Sequence, residues 1–143
     1  SCFRYAGMFA LEALSLVGQD YHKSEAVRKG CDFLVRRQLS DGGWGETMRS
    51  SETHTYISSK KSLVVQTAWV VIALLLSKYP NKEVIMSGIA LIVSRQQPSG
   101  EWLYEADEGV FNHSCAIQYP NYKFVFPIKA LGLYIKKYGD FNL

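Results

Sequence analysis

This chain has no strong excess of either charge. Sixteen Lys and Arg against 13 Asp and Glu leave a formal +3 over 143 residues, too mild a balance to favour nucleic acid or another strongly anionic partner. Cysteine is scarce as well. Cys2, Cys31 and Cys115 make an odd count with no Cys-x-x-Cys pair, which argues against a disulfide framework and for a reducing compartment. No segment reads as a signal peptide. No apolar run is long enough to cross a bilayer. The longest, Leu63 to Leu76, is broken by Gln66 and Thr67 and falls short of the roughly 20 residues that a span needs. Attachment to one leaflet stays open, because this stretch need not carry a membrane-binding surface. Strand signals are weak. The chain opens at Ser1, without Met, in a stretch that already reads as helix, and is expected to be the tail of something longer.

What the sequence does have is a self-similar pattern. Hydrophobic residues make up 48% and charged residues 20%, ordinary for a globular interior of one domain or one piece of a larger one. Shifted by 58 residues, the chain matches itself without a gap. Ala10 falls on Ala68, Leu14 on Ile72, Tyr21 on Tyr79, Gly30 on Gly88 and Leu34 on Ile92. Gln38, Gly42 and Trp44 fall on Gln96, Gly100 and Trp102. A repeat of this length implies stacked or circularly arranged units with a shared core. The units are expected at about 1–58 and 59–116, with a partial third at 117–143.

Each unit reads as two helices. The first is apolar nearly all round, over Tyr5–Val17 in one copy and Val64–Lys78 in the next, as for a helix covered on most sides. The second is amphipathic. Over Ser24–Arg37, Ala26, Val27, Gly30, Phe33 and Leu34 share one face, and Glu25, Arg28, Lys29, Asp32 and Arg36 the other. Ser24 and Asn81 are candidate N-caps. A third apolar helix is predicted from Phe124 to Tyr138, with Pro127 in its first turn. The expected class is all-α: alternating inner and outer helices in an α/α toroid or a piece of one. The connections Asp41–Lys61 and Pro98–Tyr122 are long for such a bundle, and long loops are often functional.

The repeated Gln–Gly–Trp cluster follows from how an outer helix ends. Carbonyls of the last turn lack partners, and a Gln amide can donate to one of them or bridge to the next helix. Gly42 and Gly100 permit the turn and leave room for an indole. The Trp ring can then pack on the Gln amide and close one unit against its neighbour. These six residues are therefore read as structural.

The cluster is also a signature. Lys29-Gly30-x-x-Phe33-Leu34-x-x-x-Gln38-x-x-x-Gly42-x-Trp44 resembles the QW motif of triterpene cyclases, the squalene and oxidosqualene cyclases. The second copy departs from it, with Ser87 at the basic position and Leu91 at the aromatic one. "DGGWGE", "KSLVVQTAW", "NKEVI" and "GVFNHSCAIQYPNYKFVFPIKALG" are similar to the C-terminal part of lanosterol-forming oxidosqualene cyclases, the fungal ones above all. The similarity runs along essentially the whole chain, about the last fifth of such enzymes.

That resemblance implies a reaction. Such enzymes fold (3S)-2,3-oxidosqualene, an Asp protonates the epoxide, rings close through carbocations, and proton loss gives lanosterol. No cofactor and no metal is implied. The acid belongs to an Asp-Cys-Thr-Ala-Glu motif that is absent here, so it is expected upstream, and this piece alone is expected to be inactive. The family is also similar in being monotopic at the endoplasmic reticulum membrane or lipid droplets. By that resemblance the partners are a lipid substrate and a membrane, the latter reached through other parts of the protein.

The family's cation-stabilising residues in this region lie on the loop "GVFNHSCAIQYPNY". Cyclisation needs a dry cavity with electron-rich faces and few nucleophiles, and an aromatic face stabilises a desolvated cation by roughly 2 kcal/mol. By resemblance Phe111 steadies the cation late in ring closure. Tyr119 and Tyr122 follow as ring faces or hydrogen-bond supports, and Cys115 and Ile117 as cavity walls. His113 is read as a solvated loop histidine, Trp69 as helical core, and Glu105, Asp107 and Glu108 as a solvated acidic run. Two other classes stay in view. A protein prenyltransferase β-subunit shares the toroid but needs zinc on Asp, Cys and His, for which Cys31, Asp32 and His113 offer no compact set. A non-catalytic α/α scaffold is the other.

Overall fold

A segment that is apolar on every side must be covered on every side. In the computed structural model, which describes the backbone of residues 3–111 and 115–141 and side chains outside 109–117, the elements run α1 Phe3–Leu16, α2 Glu25–Val35, α3 Arg49–Thr53, α4 Val64–Leu76, α5 Lys82–Ser94, β1 Gly109–Phe111, β2 Cys115–Ile117 and α6 Tyr122–Tyr138. The apolar segment is α4, buried without a break from Val64 to Leu75. It packs against α1 on one side and α6 on another. Lys129 Nζ on α6 reaches Glu12 Oε1 on α1 at 2.7 Å. The amphipathic α2 lies on α1, and α5 on α4. Inner α1, α4 and α6 therefore alternate with outer α2 and α5, the α/α arrangement expected from the sequence.

Local chemistry sets where the outer helices begin. Ser24 Oγ accepts from Val27 N at 3.4 Å and Asn81 Oδ1 from Glu83 N at 3.0 Å, each relieving one unpaired first-turn donor. The inner-to-outer turns of the two units then stack. Tyr21 N donates to Ser77 O at 2.8 Å. The Tyr21 ring meets Tyr79 edge-on at 5.2 Å. Lys78 Nζ lies 3.1 Å from Asp20 Oδ2, and this contact leads the causes that hold the Asp20 carboxyl below its ordinary value.

Three features differ from the sequence reading. α6 starts at Tyr122, two residues before the predicted start, so Pro127 stands in its second turn. The first long loop contains α3, a single polar turn, Arg-Ser-Ser-Glu-Thr, too short to carry an apolar period. The second long loop contains an antiparallel hairpin that pairs Gly109 with Ile117, Val110 with Ala116 and Phe111 with Cys115.

Candidate functional site

The two Gln–Gly–Trp clusters build the same geometry. Trp44 Nε1 donates to Leu34 O at 2.8 Å, and Trp102 Nε1 to Ile92 O at 2.8 Å. Gln38 Nε2 donates to Gly42 O at 2.8 Å, and Gln96 Nε2 to Gly100 O at 2.9 Å. Gly42 and Gly100 adopt φ of 87° and 90°, the left-handed region that favours glycine. Gln38 Nε2 also reaches Val84 O on α5 at 3.0 Å, which ties one unit to the next. The indole of Trp44 enters the next unit too: a Cβ on Gly88 would lie 3.0 Å from Trp44 Cζ3 and 2.8 Å from Val71 Cγ2. The polar contact of each indole is thus the last-turn carbonyl of its own outer helix.

Gln66 and Thr67, the two residues that interrupt the apolar run, hold the chain leaving Trp44. Thr67 Oγ1 accepts from Trp44 N at 2.9 Å. Gln66 Oε1 accepts from Glu46 N at 2.6 Å and its Nε2 donates to Glu46 O at 3.2 Å. The buried Glu46 carboxylate accepts in turn from the backbone N–H of Phe3 (3.1 Å) and Arg4 (3.2 Å) in the first turn of α1. Arg4, itself buried, donates to Gln66 Oε1 at 3.4 Å and to the Tyr56 hydroxyl. This polar lattice fixes the register of α1 against α4. It was not visible in the sequence, because its members lie 20 to 62 positions apart.

Register brings aromatic rings of three inner helices together. Tyr5 of α1 meets Trp69 of α4 edge-on at 5.1 Å and Tyr122 of α6 in a stack at 6.3 Å, 21° from parallel. Trp69 meets Phe126 at 5.6 Å and Tyr122 at 6.0 Å. Tyr119, just before α6, stacks on Tyr122 at 4.8 Å and is 44% exposed. Such offset and edge contacts match the quadrupoles of the rings. Burial pushes the Tyr122 hydroxyl well above its ordinary value, followed by its hydrogen bond to Tyr5. Trp69 is fully buried, and its Nε1 has no hydrogen-bond partner among the described residues. The cluster therefore presents electron-rich faces, and among the described residues its ring contacts are to other rings; the carboxylate that acts on it is Glu108, which adds to the rise at Tyr122. A site that must stabilise a cation without capturing it needs such faces.

Of the five residues named from the loop, Tyr119 and Tyr122 fall side by side in this cluster. Phe111 and Cys115 are register partners of the hairpin and Ile117 pairs with Gly109; the side chains of these three candidates lie outside the described residues, as does His113. Trp69 is core, as the sequence suggested, and it also touches Tyr122. Tyr5 and Phe126 went unnoticed, since neither lies on the signature loop.

The acidic run is solvated only in part: Glu105 is exposed and Asp107 half-buried, while Glu108 is buried, a correction to the sequence reading at that residue. Glu105 Oε2 accepts from Val64 N at the start of α4 at 2.5 Å, and its Oε1 takes Arg95 Nη1 at 2.6 Å. Glu108 is 9% exposed. Burial, then the nearby Glu105 and Asp107 charges, push its carboxyl up to about 7. Beside it, a groove of about 520 Å³ runs between Glu46–Met48, Ser59–Lys61 and Glu105–Asp107; the aromatic rings are not among its walls.

Known relatives give this geometry its family. Residues 2–136 match the squalene-hopene cyclase C-terminal domain. The chain belongs to that family. Within it, the chain is 67% identical over 142 residues to lanosterol synthase ERG7 of Saccharomyces cerevisiae and 62% identical over 139 residues to lanosterol synthase of Candida albicans. It is 41% identical over 142 residues to lanosterol synthase of Homo sapiens. Those alignments cover 97–99% of this chain and 19% of each relative. The chain thus spans about a fifth of the length of the curated relatives it matches. As a member of the squalene-hopene cyclase C-terminal domain family, it carries the paired Gln–Gly–Trp locks, and three of its helices place the aromatic cluster. Among the described residues no helix is long and apolar enough to cross a membrane, and no three His, Cys, Asp or Glu gather as a metal-binding group. Cys31 is buried, and that burial pushes its thiol up to about 11.

Proposed function

We propose that this chain is the C-terminal part of a lanosterol synthase, which cyclises (3S)-2,3-oxidosqualene through carbocations, and that it contributes aromatic wall to the reaction cavity while the proton-donating Asp lies upstream. The observation that carries the reading is identity of 67% and 62% over nearly the whole chain to two lanosterol synthases. The chemistry of the aromatic cluster supports it. A charge travelling along a ring-closing polyene needs stabilisation at each position, and ring faces provide it without forming a bond. Preorganised rings cost no reorganisation as charge develops. The raised Tyr122 value keeps that hydroxyl protonated at neutral pH, so it offers no base to end the cascade early. In this reading Phe111, Tyr119 and Tyr122 face the cation, Cys115 and Ile117 shape the wall, and attachment to the endoplasmic reticulum membrane or lipid droplets comes from other parts of the parent protein.

The test uses the full-length parent protein with oxidosqualene and product analysis. Phe111→Ala is expected to divert flux to truncated or prematurely deprotonated products. An unchanged product profile removes Phe111 from the site, and no cyclised product from the unmodified parent overturns the reading as a whole.

A further inference from the structure

We propose that Tyr5, on α1 and remote in sequence from the signature loop, is a positioning residue that sets the orientation of the Tyr122 ring and hydroxyl. The inference rests on the reading of Tyr122 as a cavity residue, and it adds to the site a helix that the loop residues do not include.

Three contacts define what Tyr5 does. Its ring lies nearly parallel to Tyr122, at 6.3 Å. Its edge contact with Trp69 at 5.1 Å and with Phe9 at 4.8 Å fixes the plane of the Tyr5 ring itself. Trp69 is wholly buried, so Tyr5 is braced against the core through α4, a helix other than the one that carries Tyr122. Tyr122 needs such bracing. It stands at the first position of α6, where the helix has no preceding turn to restrict the side chain. Its other stacked neighbour, Tyr119, is exposed and lies just before α6. Of the rings around Tyr122, Phe126 is on its own helix, so Tyr5 and Trp69 alone among the described residues come from other helices. The neighbouring Tyr5 hydroxyl is also among the influences that raise the Tyr122 hydroxyl. A ring at a helix start, held from across the core, keeps the fixed orientation that a preorganised site requires.

The experiment is a double-mutant cycle on the by-product fraction of the full-length parent protein with oxidosqualene, using Tyr5→Phe, Tyr122→Phe and both together. Tyr5→Phe is expected to raise the by-product fraction severalfold with KM unchanged, and to add nothing in the Tyr122→Phe background. Equal effects in both backgrounds, or a silent Tyr5→Phe, overturn the positioning role. A second readout does not depend on turnover. With 3-fluorotyrosine at position 122, Tyr5→Ala is expected to turn one ¹⁹F resonance into two or more, and Tyr5→Phe to restore a single one. A single resonance in Tyr5→Ala overturns the proposal. If the parent makes no cyclised product while the resonance splits, the cyclase reading fails and the positioning of Tyr122 by Tyr5 stands.

Discussion

Replacing Glu108 with Gln is expected to stabilise the protein, by an amount that grows from pH 4.5 to 7 and is full above it. The carboxyl is 9% exposed and shares its surroundings with Thr47, Ser51 and Gln66, and with the acidic Glu46 and Asp107. Its folded value of about 7 stands above the ordinary 4.5. Folding therefore favours the protonated form. Below pH 4.5 the group is neutral in both states and costs nothing. As pH rises from 4.5 to 7 the unfolded chain ionises first, and stability falls through that window. Above pH 7 the folded state carries a buried charge in full. A rise from 4.5 to about 7, at about 1.4 kcal/mol per pH unit, corresponds to about 3 kcal/mol. Gln keeps the shape without the charge. Urea unfolding followed by fluorescence of Trp44, Trp69 and Trp102, all buried, measures both proteins at pH 5 and pH 8. The Gln variant is expected to be about 2–3 kcal/mol more stable at pH 8, with most of that gain gone at pH 5. A difference that does not change with pH, or a less stable Gln variant at pH 8, refutes the reasoning, because it means the ionised carboxylate has a favourable partner. The residue matters for the site because β1, with Phe111, begins at the next position.

Two further predictions concern the locks between units. Gly88→Ala is expected to destabilise by about 1–3 kcal/mol, although the same change in an open helix adds stability, because the new Cβ meets Val71 Cγ2 at 2.8 Å; chemical denaturation checks it, and a stabilised variant counts against the close approach of α5 to α4. Gln38→Ala is expected to cost more than Gln96→Ala, by about 1 kcal/mol, since among the described residues Gln38 makes a second bond, to Val84 O on the next unit. Equal midpoints would show that this bridge adds nothing.

Periodicity and spacing were enough for the helical skeleton. α4 is legible because its segment is apolar nearly all round and so must be covered on most sides, and α2 because its two faces differ. The 58-residue shift also located the Gln–Gly–Trp turns, whose bonds run over four and ten positions and so are local enough to be written into one stretch of chain. α3 and the hairpin escaped, being too short to show a period.

Where local order ends, the sequence falls silent. Nothing in "FRYAGMF" says that Tyr5 will stack on Tyr122, 117 positions later, and nothing in "YEADEG" says that Glu105 will hold the start of α4 while Glu108 is buried. Those outcomes depend on how α1, α4 and α6 slide against one another. That register is decided by side-chain contacts between remote segments, such as the Glu46–Gln66 pairing. By itself the sequence determined which segments are helical, how the units repeat and to which family they belong. Only the packed structure decided which rings meet and which charges are shut away from water, because both depend on distances that no local pattern encodes.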